Sequence, residues 1–125
     1  MQRYNIWHQV KRGVLMHFLN KKEKEALYEF TSRIKSVLDT NLFDLKLFGS
    51  KTTGKFHEES DIDVLIVVNH RDDKVLDIVS EILLDIDLKY AANISPIVLT
   101  AAEFAKNQQA QTMFYNEIAR DGITL

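Results

Sequence analysis

The 125-residue sequence contains no cysteine, which excludes disulfides and thiolate metal sites and makes a cytoplasmic setting the expectation. Long apolar runs are also missing. The longest is VLIVV at 64–68, far short of the roughly 20 residues a membrane helix needs. The amino terminus, MQRYNIWHQVKRGVLMHFL, lacks a long apolar stretch followed by a small-residue cleavage site, so no signal peptide is read. Neither charge dominates: 16 Lys and Arg against 18 Asp and Glu leave a net charge of −2. Nonspecific nucleic-acid binding therefore has no electrostatic basis. With one proline, four glycines, no repeats and no low-complexity tract, the chain reads as one compact domain. At this length a domain buries roughly two thirds of the surface its unfolded form exposes.

What is present is an alternation of periodic segments. Asn20 with Glu23 forms a capping-box pattern, and Leu27, Phe30, Ile34, Val37 and Leu38 recur at helical spacing, which predicts a helix over 21–39. Phe43, Leu45 and Leu47 alternate with Asp44 and Lys46, predicting a strand that ends at Phe48, where Gly49 breaks it. The β-branched run over 62–68 reads as a central strand buried on both faces. Val75, Ile78, Val79, Ile82, Leu83 and Ile86 predict a second helix, and 94–99 a third strand whose Pro96 points to an edge. Thr100 with Glu103 repeats the capping box before one or two short helices that end near Gly122. Phe104, Met113 and Phe114 read as core packing. The order helix, strand, loop, strand, helix, strand, helix is that of a small α/β sandwich with helices packed on a sheet.

Between the first two strands lies GSKTTGKFHEESDID, residues 49–63. Asp61 and Asp63, at i and i+2 of a strand start, leave the same face with Cα atoms about 7 Å apart. Two carboxylates so placed repel each other unless a cation lies between them, and hard oxygen ligands suit Mg²⁺. Gly49 lets backbone approach a phosphate closely, and Ser50 can donate to its oxygens. Lys51 and Lys55 are positioned to add charge. Gly-Ser, ten residues and Asp-x-Asp thus pair a phosphate cradle with a metal grip, the two parts that nucleotidyl transfer chiefly needs. The four histidines show no ligand spacing.

The stretch LFGSKTTGKFHEESDIDVLIVV closely resembles the signature of the minimal nucleotidyltransferases of the DNA polymerase beta superfamily. The resemblance spans about 21–125 and implies an α+β nucleotidyltransferase domain over 20–125, with a mixed sheet, preceded by a helical extension over 1–19. It implies that Gly49, Ser50, Lys51, Gly54 and Ser60 bind nucleotide and that Asp61 and Asp63 are the catalytic, metal-binding carboxylates. Lys51 stands where the family has arginine, keeping the charge but losing the bidentate fork. The activity implied is Mg²⁺-dependent transfer of AMP from ATP to a hydroxyl. Family members of this size often act as antitoxins that modify a tyrosine of a small helical HEPN-type toxin, and such a partner is expected to supply the acceptor. Oligomeric state stays open.

One departure from the family pattern matters. In fuller members a strand after the long helix carries a third acid. Here that strand reads NISPIVLT, with the acid's position falling near Ser95 and no Asp or Glu from 91 to 102. This leaves a second reading open, in which the fold is a weak or inactive module that neutralises or scaffolds a partner by contact.

Overall fold

The computed structural model describes residues 18–54 and 61–125. Lys55, His57 and Ser60, and residues 1–17 of the proposed extension with Tyr4, Trp7, His8 and His17, lie outside the described residues. The elements run α1 (Lys21–Leu38), a 3-10 turn (Asp39–Asn41), β1 (Leu42–Phe48), the single turn α2 (Ser50–Thr53), β2 (Ile62–Val68), α3 (Asp73–Tyr90), β3 (Ile94–Thr100), α4 (Ala101–Gln109), α5 (Met113–Asp121) and β4 (Ile123–Thr124). Both expected capping boxes form: Asn20 and Glu23 exchange side-chain and backbone bonds at α1, and Thr100 and Glu103 do so at α4. Each satisfies two N–H groups that the first helical turn leaves without partners.

The sheet is mixed, in the order β3-β2-β1-β4. Two adjacent strands are parallel, β2 with β3, joined through α3, while β1 runs antiparallel to both β2 and β4. β3 lies at an edge, where the missing N–H of Pro96 leaves no gap in a ladder. β2 is central and six of its residues, Ile62 and Val64, Leu65, Ile66, Val67 and Val68, are wholly buried. Its period of two divides the protein into two cores. Val64, Ile66 and Val68 meet Leu45 and Leu47, Phe30 and Ile34 of α1, and Val79, Ile82 and Ile86 of α3. A fully buried aromatic such as Phe30 contributes on the order of 3 kcal/mol. Leu65 and Val67 face the other way, against Phe48 and Ile118, with Phe104 and Phe114 packed beside them. Asp63 and Asp61 continue that second row, so alternation alone points the carboxylates to the α4 and α5 side.

Two expectations are corrected. Phe43 is 62% exposed because an irregularity between Leu42 and Asp44 in the β1–β2 register moves it off the face that Leu45 and Leu47 occupy. Met113, read as core, is 87% exposed at the start of α5, while Phe104 and Phe114 do pack inward. The short β4 has no periodic signal. It forms because Gly122 lets the chain leave α5 tightly, where a Cβ would strike the Ile118 carbonyl, and because Ile123 and Leu125 are then buried.

Candidate active site

The site is built where β1 ends beside the start of β2. Phe48 is paired with Asp63 across the two strands, so the next residue, Gly49, emerges against the Asp63 side chain. Its backbone, φ 81 and ψ −160, lies in a region that essentially only glycine occupies. Any Cβ there would overlap the Asp63 Oδ2 atom. Glycine is required twice, by its backbone and by the carboxylate it touches. Ser50 then opens the turn α2, braced by bonds to the Gly49 carbonyl from the Thr52 N–H at 3.1 Å and its hydroxyl at 2.7 Å. Gly54 ends the turn in a left-handed conformation with φ 77, close to the Phe18 ring.

Asp61 is exposed and Asp63 half-buried. Burial raises the Asp63 pKa above its ordinary value, and the charges of Asp61 and then Glu117 raise it further. Neither aspartate has a hydrogen bond or ion pair to a described residue. Two like-charged carboxylates, one partly dehydrated and neither neutralised, make a donor set that fits a hard divalent cation. No group of three His, Cys, Asp or Glu side chains capable of holding a metal occurs among the described residues. Among the described residues, a cation on Asp61 and Asp63 would have those two carboxylates alone as ligands of these types.

The Asp63 pKa carries a stability consequence. Because the folded state binds this proton more tightly than the unfolded chain, the group contributes stability below the unfolded value of 3.8 and loses it as pH rises through the folded value. In chelator at pH 7, Asp63→Asn is expected to raise Tm, and the gain should vanish as melting is repeated down to acid pH. A pH-independent difference would assign the effect to packing.

Lys51 was expected to add charge at the phosphates. Instead its side chain is 2% exposed and its Nζ lies 3.0 Å from Glu23 Oε2. The one-turn α2 rotates residue 51 inward while residue 50 faces the cleft, and Glu23, anchored by the α1 cap, receives it. Removing one partner of such a pair strands a buried charge. Lys51→Ala should cost about 2 kcal/mol, measured by urea unfolding. Lys51→Ala combined with Glu23→Gln should recover part of that loss.

Gly49, Ser50 and Thr53 form one wall of an open cleft of about 440 Å³ whose other wall is Glu117, Arg120 and Asp121 of α5. The helix is seated by Ile118 in the second core and by an edge-to-face contact of Phe114 with Phe48, ring centroids 5.6 Å apart. No motif points to these α5 residues in the sequence, since tertiary packing alone brings them to the Gly-Ser turn. Ser95, near which the sequence places the position of the third acid, is the register partner of Asp63 on β3. The acid whose charge reaches Asp63 from outside the pair is Glu117. Asp85 and Asp87 are exposed on α3, with Asp85 on Arg33 at 2.9 Å. They take no part in the site.

An open cleft beside a paired-carboxylate strand start, on a mixed sheet backed by helices, is the arrangement of a nucleotidyltransferase. The family model described as "Nucleotidyltransferase domain" matches residues 27–118, and the chain belongs to that family. Two proteins of Methanocaldococcus jannaschii, both named "Putative protein adenylyltransferase", are similar to it. One, MJ0604, is 34% identical over 103 residues, covering 82% of this chain and 97% of its own length. The other, MJ0141, is 33% identical over 104 residues, covering 79% and 94%. A solved toxin-antitoxin MntA-HpeT mutant overlaps distantly, with TM-score 0.47 and 16% identity over 85% of this chain and 72% of that one.

Proposed function

We propose that the protein transfers AMP from ATP to a hydroxyl of a partner protein, with Mg²⁺ as the cation. The observation that carries this is the contact of Gly49 with Asp63, which sets a phosphate-binding turn directly against a carboxylate pair. The name shared by the two archaeal relatives supports a protein acceptor. Gly49 and Ser50 receive the β- and γ-phosphates, Gly54 and Ser60 also bind nucleotide, and Asp61 and Asp63 hold Mg²⁺. When bound, Mg²⁺ neutralises phosphate charge and stabilises the charge that develops on transfer. The acceptor oxygen bonds to the α-phosphorus as the bond to the bridging oxygen of the β-phosphate breaks, and pyrophosphate leaves. Glu117, which lines the cleft and whose charge reaches Asp63, would receive the hydroxyl proton, as a general base does.

The sequence resemblance further supports a cytoplasmic antitoxin acting on a tyrosine of a HEPN-type toxin. No helix among the described residues is long and apolar enough to cross a membrane. Ser95 beside Asp63, where fuller relatives place an acid, favours one other reading, neutralisation of that partner by contact. Incubating the protein and a HEPN-type partner with α-labelled ATP and Mg²⁺ separates them. Label on the partner is the expected result. A stable complex that takes no label would establish contact neutralisation.

A further inference from the structure

We infer that Arg120, at the end of α5, is the cation that grips the polyphosphate of the nucleotide. This rests on the nucleotidyl-transfer reading and adds to it a residue beyond the stretch that the family model matches. The cleft poses an electrostatic problem. Glu117 and Asp121 line it opposite Ser50, and Asp63 lies against Gly49 of the same wall, so a polyphosphate meets three carboxylates. Lys51, the lysine that follows the serine, has its ammonium buried on Glu23. Among the described residues that line the cleft, Arg120 is the one cation.

Its geometry suits the task. Both Nε and Nη2 lie 2.9 Å from a single oxygen of Asp121, Oδ2. That leaves the outer edge of the guanidinium, Nη1 with the second N–H of Nη2, without a partner among the described residues. A planar fork fixed along one edge and open along the other can take two phosphate oxygens at once. With 72% of the side chain exposed, Arg120 does no packing that would otherwise account for it. As a mere surface pair with its neighbour it would contribute almost nothing. Asp121 acts as the positioning residue: it fixes the fork and, in lowering the mobility of a long side chain, reduces the ordering cost of binding.

The test is equilibrium binding of Mg·ATP, Mg·pyrophosphate and AMP to the full chain, with circular dichroism and Tm confirming that the variants fold alike. Arg120→Ala should weaken Mg·ATP and Mg·pyrophosphate about tenfold each and leave AMP nearly unchanged. Arg120→Lys should recover only part of the loss, because the charge returns without the fork. Asp121→Asn should weaken both ligands less than Arg120→Ala. If wild type binds Mg·ATP and Arg120→Ala matches it within twofold for both polyphosphates, the assignment to Arg120 is overturned and the nucleotide reading stands. If AMP weakens as much as Mg·pyrophosphate, Arg120 serves the nucleoside and not the phosphates, which also overturns it. A wild-type chain that binds neither polyphosphate overturns the underlying reading, and this assignment with it.

Discussion

Replacing Asp61 and Asp63 together by asparagine is expected to abolish nucleotidyl transfer, by on the order of 10³-fold or more, without unfolding the protein. The carboxylates sit at the strand start on the α5 side, and neither holds the fold together through a hydrogen bond or ion pair to a described residue. Asparagine keeps the shape and removes the charge. In the wild type the pair is a source of repulsion, as the upward shift of the Asp63 pKa through burial and its two acidic neighbours shows. The metal-free double variant should therefore melt at the same temperature or slightly higher. The decisive contrast lies in ligand response: Mg·ATP should raise the Tm of the wild type and leave that of the double variant unmoved. Equal stabilisation of both proteins by Mg·ATP would show that the cation is held elsewhere.

Gly49→Ala is expected to damage fold and site together. A non-glycine residue in the conformation Gly49 adopts, φ 81 and ψ −160, costs about 1 to 3 kcal/mol. The added methyl also overlaps the Asp63 carboxylate, which must swing away or push the turn outward. Either movement separates the Gly49-Ser50 turn from the Asp61 and Asp63 carboxylates. A displacement near 1 Å at a reacting centre can lower the rate by about 10²-fold, so transfer should fall by that order even where folding is complete. The double substitution Gly49→Ala with Asp63→Ala would relieve the collision. Its stability should recover by part of the loss while activity stays absent. If Gly49→Ala alone folds with unchanged Tm and transfers at the wild-type rate, Gly49 is only a convenient turn residue.

Much of the fold is written in local pattern. The central strand over 62–68 coincides with its β-branched run because every side chain there but Asp63 is buried, and burial on both faces leaves the composition nothing polar to confuse it. The capping boxes at Asn20 and Thr100 formed as their spacing implied, since a cap needs only residues three apart. The exposure of Phe43, within a strand that forms as its alternation predicts, and of Met113, expected in the core, escapes local pattern for the complementary reason. Their burial depends on a register irregularity and on which side of α5 meets the sheet, and neither can be seen in a window of ten residues.

The site divides along the same line. Gly49, Ser50, Asp61 and Asp63 were legible because a turn and the strand it returns to are near neighbours in sequence, and their chemistry demands residue types that stand out there. The sequence by itself thus determined the central strand, the caps and the pairing of a phosphate turn with two carboxylates. The placement of Ser95 near the pair was legible as well, and the β2–β3 register sets it opposite Asp63; only the tertiary structure decided that Lys51 turns inward to Glu23 and that Glu117 and Arg120 face Ser50 across the cleft. Each of those depends on how separate elements pack: a one-turn helix rotating one side chain into the core, and α5 seated on the sheet through Ile118 and Phe114. Local periodicity encodes which face of an element is apolar, but not which distant element that face will meet.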